Sequence, residues 1–181
     1  MNYIIYGFVV VLGAWIVYVF NSLIQKRNTV GNAWADVDVQ LKRRYDLIPN
    51  LVEAVRGYMG HEAKVFETVT EARTRAMSAG GQNEKVKAEN ELTSTLKTLF
   101  AVSENYPQLR ANENFLNLQG ELSNLENDLQ SARRYYNASV REFNNSISVF
   151  PAMIVAKLFG FSSREFFGAE EEEKVTPKVS V

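Results

Sequence analysis

Cysteine is absent from this chain of 181 residues, and histidine occurs only once. The absence of cysteine excludes disulfides, thiol nucleophiles, thiolate metal sites and a lipidated N-terminal cysteine. The single histidine, His61, is followed by Glu62, but position 65 is valine, so the HExxH pair of a zinc protease is missing. We expect His61 to cap a helix or to pack at a turn.

Other catalytic signatures are missing as well. Gly80 and Gly81 are not followed by the Gly-Lys-Ser/Thr of a phosphate-binding loop, and no Gly-x-Ser-x-Gly elbow occurs. A carboxylate metal site in a helical bundle needs Glu-x-x-His on two helices, which one histidine does not supply. The net charge of −1 creates no field that attracts nucleic acid. The sequence therefore predicts no enzyme, no catalytic, cofactor or metal residues, and no nucleic-acid partner.

Charged side chains are absent from residues 3–20. An apolar run of about 18 to 22 residues is long enough to cross a bilayer as a helix. A secretory signal fits poorly, because no cationic side chain precedes the run and no small-x-small cleavage site follows it. Residues 1–27 are predicted to be an uncleaved transmembrane anchor with a basic flank. Its aromatic and basic markers are Tyr3, Tyr6, Trp15, Tyr18, Lys26 and Arg27.

The cationic residues after the anchor predict its orientation. Lys26, Arg27 and residues 42–44 are basic, whereas the two residues before the apolar run carry no charged side chain. The positive-inside rule then places the N-terminus outside and the rest of the chain in the cytoplasm. The basic run at 42–44 is itself interpreted as the solvated face of a helix.

Only four prolines and ten glycines interrupt the chain, and their spacing favours long helices. Apolar residues recur at helical spacing over 30–59, and Pro49 predicts a kink or short break at 46–49. Short turns make neighbouring helices antiparallel. The predicted fold is all-α: an N-terminal transmembrane helix that continues into an antiparallel bundle of four long helices, over residues 28–161.

The most regular stretch runs from residue 115 to residue 147, with apolar residues spaced three and four apart. This is the heptad seam of a helix that packs along its length against other helices. Its positions are Phe115, Leu118, Leu122, Leu125, Leu129, Ala132, Tyr136, Ser139, Phe143 and Ile147. Ser139 is the polar break, where Val140 can replace it. A helix of this length spans roughly 50 Å, enough to return the chain to the bilayer.

An apolar segment, residues 150–161, follows that helix and contains one charge, Lys157. It folds over the end of the bundle as core, or it forms an interfacial helix or a subunit contact at the membrane. The candidate membrane or oligomer contacts are Phe150, Met153, Ile154, Leu158, Phe159 and Phe161. Residues 162–181, with four consecutive glutamates at 170–173, are predicted to form a flexible acidic tail.

A candidate partner surface lies on the seam helix, beside the buried Tyr136. It consists of Arg133, Arg134 and Tyr135, which lie off the seam and form either a recognition patch for a partner helix or a solvated face. Asparagines are frequent over 105–145, where they are predicted to make polar contacts between helices or to set subunit register.

Several stretches together resemble the LemA family. They are residues 32–52 (NAWADVDVQLKRRYDLIPNLV), Gly57-Tyr58 with His61-Glu62, residues 111–116 (ANENFL), residues 132–137 (ARRYYN), Asn144-Asn145 and Phe150-Pro151. The resemblance covers nearly the whole chain. It implies a bacterial single-pass protein of the plasma membrane with a bundle of long antiparallel helices, and it brings no catalytic residues. Some relatives are lipoproteins, but the cysteine they require is missing.

Two functions remain open at this point. The first is a non-enzymatic, membrane-anchored scaffold that self-associates and organises membrane or membrane-protein complexes, with the lipid bilayer and further copies of the chain as partners. Relatives that serve magnetosome membranes support it by analogy. The alternative is an adaptor or regulator of a membrane protease or sensor kinase, and relatives linked to a membrane zinc protease suggest it by analogy.

Overall fold

The computed structural model describes residues 2–60 and 62–168, and all regular secondary structure in these ranges is α-helical. The helices are α1 (Asn2–Arg56), α2 (Ala63–Ser78), α3 (Gln82–Ser103), α4 (Pro107–Arg110), α5 (Glu113–Ser148) and α6 (Ala152–Leu158). The predicted all-α fold with a long apolar N-terminal helix is confirmed. His61 and residues 169–181 lie outside the described residues, and so do the predicted cap at His61 and the acidic run.

The described residues fall into two compact units. We call residues 2–36 with 132–168 the anchor unit, because it contains the apolar start of α1. Residues 37–131 form the network unit, named for a cluster of buried polar side chains. Helices α1 and α5 each contribute residues to both units.

Helix α1 is uninterrupted over 55 residues although it contains Pro49, so the short break predicted at 46–49 is wrong. Pro49 has no N–H to donate to the carbonyl of Tyr45, four residues earlier. Arg73 of α2 supplies the missing donor, because its Nε donates to that carbonyl at 2.7 Å. The neighbouring helix thus replaces the hydrogen bond that the proline removes, and α1 continues.

The core of the network unit is formed by the predicted apolar faces. Helix α1 buries Val37, Leu41, Ile48 and Val55 completely or nearly so. Helices α2 and α3, joined by the turn at 79–81, bury apolar side chains at the same helical spacing: Phe66, Val69, Ala72, Ala76, Leu92, Leu96 and Leu99. Each fully buried large apolar side chain contributes roughly 1.5 to 3 kcal/mol, so this core is the main source of stability.

Helix α5 begins at a capped asparagine. Asn112 Oδ1 accepts a hydrogen bond from the N–H of Phe115 at 3.0 Å, which satisfies one of the free donors at the helix start. Its Nδ2 donates to the Tyr58 hydroxyl at 2.9 Å. The side-chain amide of Asn112 therefore caps the start of α5 and also binds Tyr58, which follows the end of α1.

The seam predicted for α5 is confirmed, since none of its positions is exposed. Ser139 and Val140 are both buried, so the polar break does not interrupt the seam. Ser139 satisfies its hydroxyl locally by donating to the carbonyl of Tyr135 at 3.0 Å.

Candidate functional site

Helix α6 packs its inner face against the second half of the apolar segment of α1. The two helices share a buried cluster of Val19, Leu23, Val155 and Ala156. The Phe20 ring lies with its centroid 4.8 Å from that of Phe159 and 5.9 Å from that of Phe161. Tilted and edge-on aromatic pairs at these distances add to the apolar contact. The segment 150–161 is therefore attached to the anchor by both aliphatic and aromatic contacts.

The outer face of α6 is apolar and exposed. Ile154 is 57% exposed and Leu158 is 73% exposed, and Phe150, just before the helix, is 73% exposed. Met153 is half-buried. A surface helix of a soluble protein carries polar residues on its outer face, whereas α6 is apolar on both faces. One face of the segment is therefore buried against α1, and the other is an exposed apolar surface.

The start of α1 has the length and composition of a membrane span, and it is the one such helix in the part of the chain that the structure describes. Tyr3, Tyr6 and Tyr18 are well exposed on it, whereas Trp15 is half-buried because it packs against the cluster with α6. A helix with exposed apolar side chains on every face is suited to the hydrocarbon interior of a bilayer.

The basic flank after the span contacts α5 and the residues after α6. Lys26 Nζ lies 2.9 Å from Glu142 Oε1 and donates to Ser146 Oγ at 2.8 Å. The Arg27 guanidinium lies 5.7 Å from the centroid of the Phe161 ring, a cation–π distance. Lys26 and Arg27 therefore lie at the same height along α1 in the anchor unit.

Gly160 ends α6 and redirects the chain. Its φ is +71°, a left-handed conformation that glycine adopts without a steric penalty. The N–H of Phe161 donates to the carbonyl of Ala156 at 2.9 Å, and the N–H of Gly160 donates to that of Lys157 at 3.4 Å. This pair of bonds is the Schellman motif, which allows the Phe161 ring to reach Phe20 and Phe143.

Two asparagines one heptad apart on α5 hold the main chain after α6. Asn137 accepts from the N–H of Phe167 at 2.8 Å and donates to its carbonyl at 3.1 Å. Asn144 binds Arg164 in the same two-point manner, at 2.8 and 2.9 Å. We call this pair the asparagine clasp. The asparagines predicted to join helices bind a non-helical segment at these two positions.

The clasp fixes residues that composition assigned to the flexible tail. Phe167 is buried, with its ring 5.9 Å from that of Trp34, and the Tyr136 hydroxyl donates to the carbonyl of Glu165 at 2.9 Å. Specific contacts therefore continue to Phe167, beyond the predicted start of the tail at 162.

The candidate partner surface is divided by these contacts. The Arg133 guanidinium lies 4.5 Å from the centroid of the Phe167 ring, so it supports the chain's own C-terminal segment. Arg134 and Tyr135 are exposed, and 53% of Tyr135 is accessible. Of the three residues, Arg134 and Tyr135 are the exposed ones.

The network unit contains a buried ion pair. Glu89 of α3 is fully buried, and Arg44 of α1 is 3% exposed. Arg44 donates to Glu89 Oε2 at 3.1 Å and to Thr93 Oγ1 at 2.9 Å, and it lies 3.4 Å from Glu126 of α5. Buried charges are tolerated when they are paired and hydrogen-bonded in this way. The interpretation of residues 42–44 as a solvated face is thus wrong for Arg44, which the helical turn directs toward α3.

Tyr45 completes this network from the neighbouring position. Its hydroxyl donates to Glu89 Oε1, so both carboxylate oxygens of Glu89 have partners. Burial, this hydrogen bond and the negative charge of Glu89 together raise the pKa of Tyr45 well above its ordinary value. The phenol therefore remains a neutral donor, and it is not a candidate base.

The sequence profile of the LemA family matches residues 33–181, which is most of the chain. This chain belongs to the LemA family. The match begins after the apolar segment of α1, so the family relationship concerns the rest of the molecule.

Similar proteins include one named LemA and others named MamQ. Protein LemA of Metamycoplasma hominis is 25% identical over 156 residues, which cover 86% of the chain and 71% of that protein. Magnetosome protein MamQ 2 of Paramagnetospirillum magneticum is 22% identical over 174 residues, covering 82% of the chain and 64% of that protein. Magnetosome protein MamQ of Magnetospirillum gryphiswaldense is also 22% identical, over 80% of the chain and 64% of its own length. The chain thus spans less than two thirds of the MamQ proteins, and none of these names states a reaction.

The described residues of this LemA-family chain include few side chains that could form a catalytic or metal-binding site. No group of three or more His, Cys, Asp or Glu that could hold a metal ion occurs within residues 2–60 and 62–168. Sequence reasoning missed Glu89 as a core residue, although it occupies the same heptad seam as Leu92, Leu96 and Leu99. A carboxylate at such a position is the signal that a buried partner exists.

Proposed function

We propose that this chain is a non-enzymatic, membrane-anchored helical scaffold that self-associates and organises membrane or membrane-protein complexes. The observation that carries the proposal is the first part of α1, where apolar side chains from Tyr3 to Leu12 are 44 to 90% exposed. Such a surface is stable only when lipid or another apolar surface covers it. The names of the MamQ relatives, which are magnetosome proteins, are compatible with work at a membrane.

The anchor lies in the bacterial plasma membrane as a single span, with its N-terminus outside and the C-terminal domain in the cytoplasm. The support is the positive-inside rule applied to Lys26 and Arg27, together with the apolar segment that precedes them. Protease added to intact cells and to inside-out vesicles tests the orientation. The C-terminal domain is expected to be cleaved only in the vesicles, and cleavage in intact cells would contradict it.

Within residues 37–131 the helices alternate in direction as an antiparallel bundle. The support is the short turn at 79–81 between α2 and α3, which pack together, and the short non-helical connections on either side of them. A rigid bundle without a catalytic constellation is a shape suited to presenting surfaces, which is what a scaffold does.

Self-association is tested by the mass of the full chain in lipid nanodiscs taken directly from membranes. More than one copy per particle is expected, and a strict monomer would contradict the proposal. Gly7→Leu and Gly13→Leu form a matched pair, since nothing in the chain lies within 4 Å of a Cβ at either position. Gly7 and Ala14, seven residues apart, share one helix face, and Gly13 lies on another. If copies associate through that face, Gly7→Leu is expected to lower the copy number and Gly13→Leu to leave it unchanged.

A second candidate is an adaptor or regulator of a membrane protease or sensor kinase. The exposed Tyr135 beside Arg134 on α5 favours it, because aromatic and arginine side chains are enriched at protein interfaces. Replacing both residues by alanine is expected to abolish capture of such a protein from solubilised membranes, without altering the copy number. Arg133 is not replaced in this double variant, because it contacts Phe167 in its own chain. Unchanged capture by the double variant would contradict this candidate.

A further inference from the structure

The outer surface of α6 has no partner within the described chain. Ile154 and Leu158 lie on its outer face, and Phe159, just beyond its end, is half exposed. The one cation of the helix, Lys157, is exposed among them. A single lysine with a long aliphatic stem can reach a polar layer while the surrounding surface stays apolar.

The contacts of α6 fix its depth relative to the span. Its inner residues, Val155 and Ala156, pack against Val19 and Leu23, and Trp15, Ile16 and Phe20 of α1 pack against the same cluster. A span needs about 20 residues to cross the hydrocarbon of a bilayer, so a span that begins near Tyr3 ends near residue 23. Helix α6 is therefore attached to about the last two fifths of the membrane-crossing segment, from Trp15 to Leu23, and not to the helix beyond it.

The charges of the anchor unit agree with this depth. Lys26 and Arg27 come one turn after Leu23, and both are held there by contacts with Glu142 and with the Phe161 ring. Cations at this level of a helix lie among lipid headgroups. The contacts of α6 begin one to three turns earlier on α1, on the hydrocarbon side of these cations.

We infer that α6, together with Phe150 and Phe159, inserts its outer apolar face into the cytoplasmic leaflet beside the span, so that the protein occupies one leaflet with two helices and the other with one. Lipid is the occupant because the exposed face is continuous with the exposed apolar surface of α1 and lies at the same depth. This inference rests on the membrane span of the proposed function and, for the choice of leaflet, on its proposed orientation, and not on self-association.

The absence of cysteine permits a single environment-sensitive label at any chosen position. Three full-length variants are labelled with a fluorescent nitrobenzoxadiazole group: Val10→Cys within the span, Leu158→Cys on α6 and Tyr135→Cys on α5. All three native side chains are more than half exposed, so the labels do not disturb packing. Each variant is reconstituted into phosphatidylethanolamine–phosphatidylglycerol vesicles that carry a nitroxide quencher, either near the headgroups or deep in the acyl chains.

The inference predicts that the label at 158 loses most of its fluorescence to the shallow quencher and less to the deep one. The label at 10 is expected to respond most to the deep quencher, and the label at 135 to neither. Quenching at 10 without quenching at 158 would overturn the insertion of α6 and leave the anchor standing. Loss of quenching at both positions would overturn the anchor itself, and with it the inference.

A second copy of the chain is the rival occupant of this surface, and the same labels separate it from lipid. If another copy covers α6, the label at 158 is shielded from water but is not quenched by the nitroxide in the vesicles. Energy transfer between copies labelled at 158 then rises with the protein-to-lipid ratio. That result would overturn the inference. Ile154→Glu supplies an independent check, since Val155 and Ala156 still hold the helix: the label at 158 is then expected to become accessible to aqueous iodide.

Discussion

In the network unit a carboxylate and a guanidinium are buried against each other, whereas the anchor unit binds a non-helical segment through the neutral amides of Asn137 and Asn144. The ion pair of the anchor unit, Lys26 with Glu142, is partly exposed, with side chains 32% and 67% accessible. A charge costs more than an amide when it is moved out of water. The buried Arg44–Glu89 pair therefore lies where each charge has an opposite charge and further hydrogen bonds, whereas a non-helical segment is held by neutral amides, which need no counter-charge.

The largest expected effect follows removal of one member of the buried pair. Glu89→Ala leaves Arg44 buried with a single carboxylate at 3.4 Å, Glu126, and is expected to cost about 3 to 5 kcal/mol in free energy of unfolding. Hydrogen–deuterium exchange should rise across residues 37–131. Glu91→Ala, two positions further on α3, breaks an ion pair with Arg75 that is about half exposed on both sides, and should cost less than about 1 kcal/mol. Equal losses of unfolding free energy in Glu89→Ala and Glu91→Ala would show that burial does not distinguish the two ion pairs.

A smaller effect is expected at the proline of α1. Arg73→Ala removes the donor that binds the Tyr45 carbonyl, and an unsatisfied carbonyl costs about 1 to 3 kcal/mol. Pro49→Ala restores a backbone N–H at the position that normally binds that carbonyl. The loss caused by Arg73→Ala should therefore shrink when Pro49→Ala is present, as a double-mutant cycle on unfolding free energy would show. Strictly additive effects would mean that Arg73 does not replace the missing bond.

In the anchor unit, Asn137→Asp tests whether a neutral amide is required. Aspartate keeps the acceptor for the N–H of Phe167 but loses the donor to its carbonyl, at an expected cost of about 1 to 2 kcal/mol. Faster exchange should be confined to residues 162–168, and the fluorescence of Trp34, next to Phe167, should change. Asn145→Asp, on an exposed position of the same helix, is the control and should leave both signals unaltered.

The smallest effect is expected from two glycine substitutions of opposite sign. Gly160→Ala places a Cβ at a φ of +71° and should destabilise the protein by about 1 to 2 kcal/mol. Gly120→Ala lies inside α5 with open space around the new Cβ, and it should stabilise by about 0.5 to 1 kcal/mol. Thermal unfolding followed by circular dichroism distinguishes the two. A stabilising Gly160→Ala would show that the turn after α6 is not held as described.

Local periodicity predicted much of this fold. The seam of α5 and the apolar faces of α2 and α3 could be read from residue spacing, because burial repeats every three or four positions along a helix. The glycines at 57, 60, 80 and 81 marked helix ends for a similarly local reason, since glycine favours turns.

The polar contacts could not be predicted in the same way. Arg44 and Glu89 are 45 positions apart, and nothing in the neighbourhood of either residue identifies the other. The Asn137 and Asn144 contacts use the main chain of residues 164 and 167, so the bound segment needs no recognisable side-chain pattern. Candidate sites of this kind depend on long-range pairing, and only the tertiary structure shows it.

Pro49 has a consequence for how α1 and α2 find their alignment. Every interior carbonyl of a regular helix is already bonded to an N–H one turn ahead, so such a helix offers a neighbour no free backbone acceptor along its length. The proline leaves the carbonyl of Tyr45 open, and Arg73 binds that atom. Sliding α2 by one turn would move the arginine about 5.4 Å away from its acceptor. Pro49, although proline usually interrupts a helix, thus helps to fix the position of α2 along the 55-residue helix α1.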